Sequence, residues 1–473
     1  MPRIVIEIPE NFNSLEKAVP EFVARVVCAA PVATGGRAVD YAGFEADLAS
    51  ATAKLECAVH RDALRSLDVD ADHVNISGAS HTRVGRYPAT YYTMTGPVTV
   101  ERSLFRPDGE RNAKTVDPIS LRAGVVGSGW LPRTAQAMAH ALQKGTSREA
   151  EQAATQIGRL MYSRSSYEDV GHQVGAKFLR RQTEVESLLI EAYEPPEDAH
   201  SVSVSLDRVS VPMEEPRKRP RGRPKKNAPK RPVERNFRMA YCGTVTLHDA
   251  EGKALHTIRY GRMPQGDAIG LCEAMAGDVV TLLRKRPELL VAMLQDGAAE
   301  LWNLLAAEIN ADTLGVEVRQ LVDLWHLLEK LGRAAVLIHG ADESRAVMRR
   351  WRVRLLNSET ACHRILAELR SSGCEWRTHG DSHPVHEAIT YLTNNAPRMN
   401  YAAARVTGLP LGSGQVEATC KSLMAQRLKR PGSRWKEETG EQVVNLRALA
   451  LSDRWDDAMA HTLAPLRTAV EAA

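Results

Sequence analysis

The chain reads as an α/β protein. A mixed five-stranded sheet is predicted in its second half, interrupted by a helical insertion and preceded by a mainly helical region. Three observations predict this. SVSVSLDRVSV (Ser201–Val211) alternates strictly, placing Val202, Val204 and Leu206 on one face and Ser203, Ser205 and Asp207 on the other. Two more strand-like runs follow, NFRMAYCGTVTLHD and, past the turn Glu251-Gly252-Lys253, ALHTIRYGRM. Helix and strand then alternate: GDAIGLCEAMAGDVVTLLRKR, the strand LLVAMLQ ending at Asp296-Gly297, a helix around Trp302, and the strand VEVRQLV ending at Asp323.

At 473 residues the chain is long enough for two or three domains with buried interiors. Its net charge of +4 is modest, so partners are argued from where the charge sits, because a local basic stripe binds polyanions whatever the total. The seven cysteines (Cys28, Cys57, Cys242, Cys272, Cys362, Cys374, Cys420) form no CxxC pair, which argues for reduced thiols and against a zinc ribbon or disulfide framework. No stretch approaches the ~18 apolar residues of a membrane span, and MPRIVIEIPENF lacks a signal-peptide core. A soluble, cytoplasmic protein is expected.

Residues 1–80 are alanine-rich with helical patterning, as in FEADLASATAKLECAVHRDALRSL, and read as a packing or assembly region. In 81–130, YPATYYTMTGPVTVERSLF predicts a β-hairpin around a Gly-Pro break. The helical stretch 131–198 contains SREAEQAATQIGRLMYSRSSYEDVGHQVG (Ser147–Gly175), two short helical patterns with Ser165 or Ser166 as the predicted N-cap of the second. This is compatible with a DNA-binding helix-turn-helix, and equally with any αα-hairpin.

From residue 199 the order β-β-β-α-β-α-β is that of a ribonuclease H-like core. Its first part spans 199–333, a helical insertion 334–409, and its completion, with C-terminal helices, 410–473. In that fold the first and fourth strands lie side by side, so Asp207 and Asp296 are placed to share a metal. A third carboxylate comes from a helix packed across the sheet; LPLGSGQVEATCKSLMAQRLKRPGSRW offers Glu417 after a turn with Ser413 as predicted N-cap. Two divalent cations ~3.5–4 Å apart would activate the attacking oxygen and stabilise the leaving oxygen of a phosphodiester. Hard oxygen ligands suit Mg²⁺, with Mn²⁺ able to substitute. Singly each acid has a plainer reading, as a strand-end turn, an Asp-Gly turn, or an i,i+4 pair of Glu417 with Lys421. Asp323 and His326, in DLWH at the fifth strand's end, are given a supporting role, with Asp296 preferred for the metal.

The run RMNYAAARVTGLPLGSGQVEATCKSLMAQRLKRPGSRW, followed by NLRALALSDRW, resembles the C-terminal signature of bacterial insertion-sequence DDE transposases of the Kra-type group. QDGAAELWN with VDLWHLLEKL resembles the group's middle signature. The resemblance covers about 201–455 and implies Asp207, Asp296 and Glu417 as the acidic triad. It also implies DNA contacts from Lys421, Arg427, Lys429, Arg430, Arg434 and Trp435. Members often carry a cysteine pair after the hairpin; this chain reads RPDGERNAKTVDP there, so no zinc site is expected. The histidines of THGDSHPVH (His379, His383, His386) read as a polar loop.

Between the first two strands lies RKRPRGRPKKNAPKRP (Arg217–Pro232), nine basic residues and four prolines without an acid. A hairpin connection so long is functional or disordered. Within the insert 214–234, Arg219, Arg221, Gly222, Arg223, Lys225 and Lys226 resemble an AT-hook: prolines extend the backbone, glycine permits close approach, and arginines suit a narrow minor groove. A polybasic loop without groove preference is the other reading; both place DNA beside Asp207. The resemblance implies hydrolysis at the ends of a mobile element, then attack of the freed 3′-hydroxyls on target DNA. It further implies a homodimer or larger assembly on double-stranded DNA, in a bacterial cytoplasm at the nucleoid. A nuclease lacking strand transfer, or a DNA-binding architectural protein without cleavage, is the alternative.

Overall fold

The computed structural model describes residues 5, 7–30, 38–214 and 236–473. The chain forms two compact units, one of Met1–Arg181 with Asp456–Ala473 and one of Gln182–Trp455. Residues from Asp456 onward, expected with the second unit, therefore belong to the first. Among the described residues no helix is long and apolar enough to cross a membrane.

In the first unit the predicted hairpin is the pair Ala79–Tyr92 and Pro97–Pro107. His73–Ile76 and the terminal strand Val470–Ala472 extend it to four strands, because His73–Ile76 has a free edge that Val470–Ala472 pairs. Both helices proposed for a helix-turn-helix are present, Ser147–Ile157 and Arg164–Leu179. The second is capped by Ser163, whose hydroxyl accepts from the Ser166 amide, and not by Ser165 or Ser166. Ser163 is the last residue with extended backbone, and its oxygen can reach an amide two or three places on; Ser165 and Ser166 already lie in the first turn.

The second unit has the expected sheet: β1 (Ser201–Met213), β2 (Asn236–His248), β3 (Ala254–Arg262), β4 (Leu290–Gln295) and β5 (Val318–Val322). Their spatial order is β3-β2-β1-β4-β5. β1–β2 and β2–β3 are antiparallel, β1–β4 and β4–β5 parallel, an arrangement that fits a ribonuclease H-like core. Helix α1 (Ala268–Lys285), capped by Asp267, and α2 (Ala299–Glu308) make the crossovers that parallel strands require.

The alternation of β1 decides what covers each face. Val202, Val204 and Leu206 join Val245, Ile258, Met293 and the inner face of α1 in the main core. The opposite face carries Val211, Met213 and Cys242 under Val416, Cys420 and Leu423 of α7 (Gly414–Thr419), a helix that continues through one wide π-type turn, Cys420–Ala425, to Leu428. The insertion is four helices: α3 (Leu324–Asn357), broken at Gly340 where φ is 77°, α4 (Ala361–Ser371), α5 (Pro384–Asn395) and α6 (Tyr401–Val406). Its buried Trp351, Ile365, Ile389 and Tyr401 are continuous with the sheet's own core.

Candidate active site

The sheet register brings three acids to one level. In the parallel pair β1–β4, Val204 lies opposite Met293; three positions further along each strand stand Asp207 and Asp296. β4 and β5 pair as far as Gln295 opposite Val322, so the next positions are Asp296 and Asp323, and the Asp323 amide donates to the Gln295 carbonyl at 2.8 Å. Residues that share a register position in parallel strands share a face. Counted in twos, this face holds Ala292, Leu294 and Leu321 and belongs to the side of the sheet covered by α7.

The β1–β4 ladder stops short of the acids, and a side chain takes over at the fork. The buried Gln295 Oε1 accepts from the Leu206 amide at 2.7 Å, and its Nε2 donates to the Leu301 carbonyl at 3.1 Å. A buried amide must be satisfied where strands diverge. Sequence patterning does not mark Gln295 beyond its place as a glutamine closing an apolar strand, which is the one local signal for such a role.

Each acid is held differently. Asp207 Oδ1 accepts from the Arg208 amide at 2.6 Å, and Oδ2 from the Cys420 thiol at 3.3 Å. The neighbouring Cys242 thiol, burial and the Asp207 charge push the Cys420 thiol far up, so it stays protonated and donating. Arg208 Nη1 reaches Glu300 on α2 at 2.8 Å. Asp296 Oδ1 accepts from the Ala298 amide at 2.9 Å, while among the described residues nothing donates to Oδ2.

Asp323 is 1% exposed and both its oxygens are engaged. Oδ1 caps α3, accepting from the Trp325 and His326 amides at 2.6 and 2.9 Å. Oδ2 accepts from the Ser413 amide and, at 2.8 Å, from the Ser413 hydroxyl. Ser413 does precede α7 as expected, but it makes no side-chain cap; its hydroxyl serves Asp323 instead. This clamp ties the start of α7 to the end of β5.

The clamp explains where Glu417 lies. One turn into α7 and with its side chain 52% exposed, Glu417 has Oε1 3.6 Å from His326 Nε2; His326 Nδ1 is 3.8 Å from Asp323 Oδ1. Ligand atoms of Asp323, His326 and Glu417 all lie within 4.8 Å of one another. Among the described residues Glu417 thus groups with the two residues expected to support the site, and not at that short range with both Asp207 and Asp296. Trp325, between Asp323 and His326 in sequence, is 56% exposed with the Arg352 guanidinium 5.0 Å over its ring.

The residues expected to contact DNA divide. Arg219, Arg221, Gly222, Arg223, Lys225 and Lys226 lie outside the described residues. Lys421, Lys429 and Arg434 are exposed and Arg430 half-buried. Arg427 departs from expectation: it is 5% exposed, with its guanidinium 4.7 Å over the Trp435 ring. Its long side chain spans from α7 to the loop that returns along β1, so it packs inward. Trp435 is pinned there by backbone bonds, its amide to the Pro212 carbonyl at 3.1 Å and its carbonyl from the Glu214 amide at 2.8 Å. The basic segment 429–434 is therefore anchored at the point where the chain leaves β1 for the basic insert.

No protein-family model and no curated protein matches the chain. Two solved structures resemble it. The Drosophila P element transposase strand transfer complex aligns at 11% identity over 68% of this chain and 92% of that one, with a TM-score of 0.36. The Mos1 transposase paired-end complex with left transposon end aligns at 15% identity over 59% and 79%, with a TM-score of 0.16.

Proposed function

We propose that the second unit is the catalytic unit of a DDE transposase of the Kra-type insertion-sequence group, cutting and joining DNA with Asp207, Asp296 and Glu417 as its acids. The observation that carries this reading is the shared face of Asp207, midway along β1, and Asp296, just past the end of β4, each three positions beyond the last paired residues of these parallel strands, on the side that the Glu417 helix covers. The resemblance of the C-terminal block supports it independently.

The donor set fits hard divalent cations. Asp296 keeps one oxygen without a donor among the described residues, Asp207 Oδ2 meets only a weak thiol donor, and Glu417 is open to solvent. Two Mg²⁺ ions, or Mn²⁺ in their place, would be held there and would supply activation of the attacking oxygen and stabilisation of the leaving oxygen. The remaining work belongs to the chain. Asp323 holds the start of α7 against the sheet, His326 faces Glu417 and limits its swing, and Lys429, Arg430 and Arg434 meet phosphates beside the root of the basic insert. Joining needs two element ends in one assembly, so the active species is a dimer or larger on DNA.

The test is cleavage of DNA carrying the element's ends. Asp207→Asn abolishes cleavage while DNA affinity stays within about twofold; undiminished cleavage sinks the assignment. One observation favours a second reading, in which a single cation is held by Asp323, His326 and Glu417. Against it stands the saturation of both Asp323 oxygens by four donors, none of which a metal could replace without opening the clamp.

A further inference from the structure

The insertion places one polar group against the acid-bearing turn that nothing so far explains. Tyr391 of α5 lays its ring on Gly297, next to Asp296; a Cβ at residue 297 would come within 2.3 Å of the Tyr391 Cε2 atom, so glycine is what allows the approach. Lys330 Nζ covers the ring, 5.0 Å from its centroid. The hydroxyl is shut off from solvent and has no hydrogen-bond partner among the described residues. Burial first, then the Asp296 and Asp323 carboxylates, push this phenol well above the ordinary tyrosine range, so it keeps its proton and remains a donor.

A buried hydroxyl without a partner is costly and calls for a reason. Here a carboxylate oxygen that lacks a donor, Asp296 Oδ2, belongs to the residue beside the one the ring touches. We infer that Tyr391 is a positioning residue: its hydroxyl is the donor that fixes the Asp296 carboxylate when that carboxylate takes up a divalent cation. The inference rests on the proposed metal role of Asp296. Donors behind a ligand orient it, and losing one costs ten- to a hundredfold in metal affinity as an order of magnitude. The helical insertion thereby contributes to the chemistry as well as to packing.

The experiment is Mn²⁺ binding to the full-length protein, followed by the paramagnetic resonance signal of free Mn²⁺, in wild type, Tyr391→Phe and Asp296→Asn. Phenylalanine keeps the ring on Gly297 and under Lys330 and removes only the oxygen. The expected result is binding about tenfold weaker in Tyr391→Phe with no fall in melting temperature. Tyr391→Phe binding Mn²⁺ as wild type does, with both tighter than Asp296→Asn, overturns the role of Tyr391 alone. Wild type binding no better than Asp296→Asn sinks the metal reading on which it rests.

Discussion

Removing the Asp323 carboxylate should loosen the molecule before any metal is added. Asp323→Ala strands four donors: the Trp325 and His326 amides at the start of α3, and the amide and hydroxyl of Ser413. A lost cap is worth about 1 kcal/mol, and each bond to a buried charged acceptor about 1.5 kcal/mol or more. Because water reaches the freed groups once the turn opens, the net loss is about 3–4 kcal/mol, roughly a hundred- to a thousandfold in the local opening equilibrium. Amide hydrogen exchange in EDTA reads this directly: the amides of Trp325, His326 and Ser413 lose that much protection while β1 and β2 keep theirs. Asp323→Asn keeps the two caps but turns an NH₂ group toward donors on Ser413, so it loses protection at Ser413 first. Unchanged exchange in EDTA, together with lost Mn²⁺ binding, would refute the clamp and make Asp323 a metal ligand.

Other expectations follow from the same geometry. Asp296→Asn leaves thermal stability in EDTA unchanged or slightly higher, because it removes one of several neighbouring negative charges and a single local hydrogen bond is kept by the remaining oxygen; a drop of more than about 1 kcal/mol would assign Asp296 a structural role. Lys429→Ala and Arg434→Ala each lower the slope of log affinity for DNA against log salt by about 0.9, whereas Arg427→Ala leaves the slope alone and costs about 1–3 kcal/mol of stability through the Trp435 contact. His248, buried between the Ser203 hydroxyl at 2.8 Å and the Gly252 carbonyl at 3.2 Å, is pushed by burial down to about 4 from 6.5. The unfolded chain therefore binds its proton first, so stability is whole above pH 6.5 and falls by about 3 kcal/mol as pH drops toward 4; urea titrations of His248→Gln should lack that component.

What could be read in advance was what strand periodicity and chain order determine. The alternation of Ser201–Val211 gave the two faces of β1, and the order of strands and helices gave the sheet, because parallel strands joined by helices leave few topologies open. Asp296 and Asp323 were visible because an acid closing a strand is a local feature, and Asp207 because it falls on the polar side of the alternation in β1. The partners of those acids were not. That Cys420 would donate to Asp207 depends on the wide turn that begins at that residue, and nothing in VEATCKSL announces it. That Ser413 would abandon its cap for Asp323 is a contact across 90 residues. Arg427 looked like its neighbours in a basic run, and only the path of the Trp435 loop turned it inward.

That long-range contact bears on why the insertion is built as it is. If residues between Asp323 and Ser413 were a flexible loop, closing it would cost about 4 kcal/mol, enough to cancel the whole clamp, and α7 would carry Glu417 away from the strand ends. The chain avoids this by folding the interval as α3 to α6, with Trp351, Ile365, Ile389 and Tyr401 in the same core as β1 and β4. The clamp then joins two ends that packing has already brought close, and its free energy is available to fix the orientation of Glu417. The insertion and the placement of Glu417 are then one device. Loosening the insertion core, as at the buried Ile365 with Ile365→Ala, should cost about 2–4 kcal/mol in stability and, at temperatures where the variant is still folded, speed exchange at the Ser413 amide.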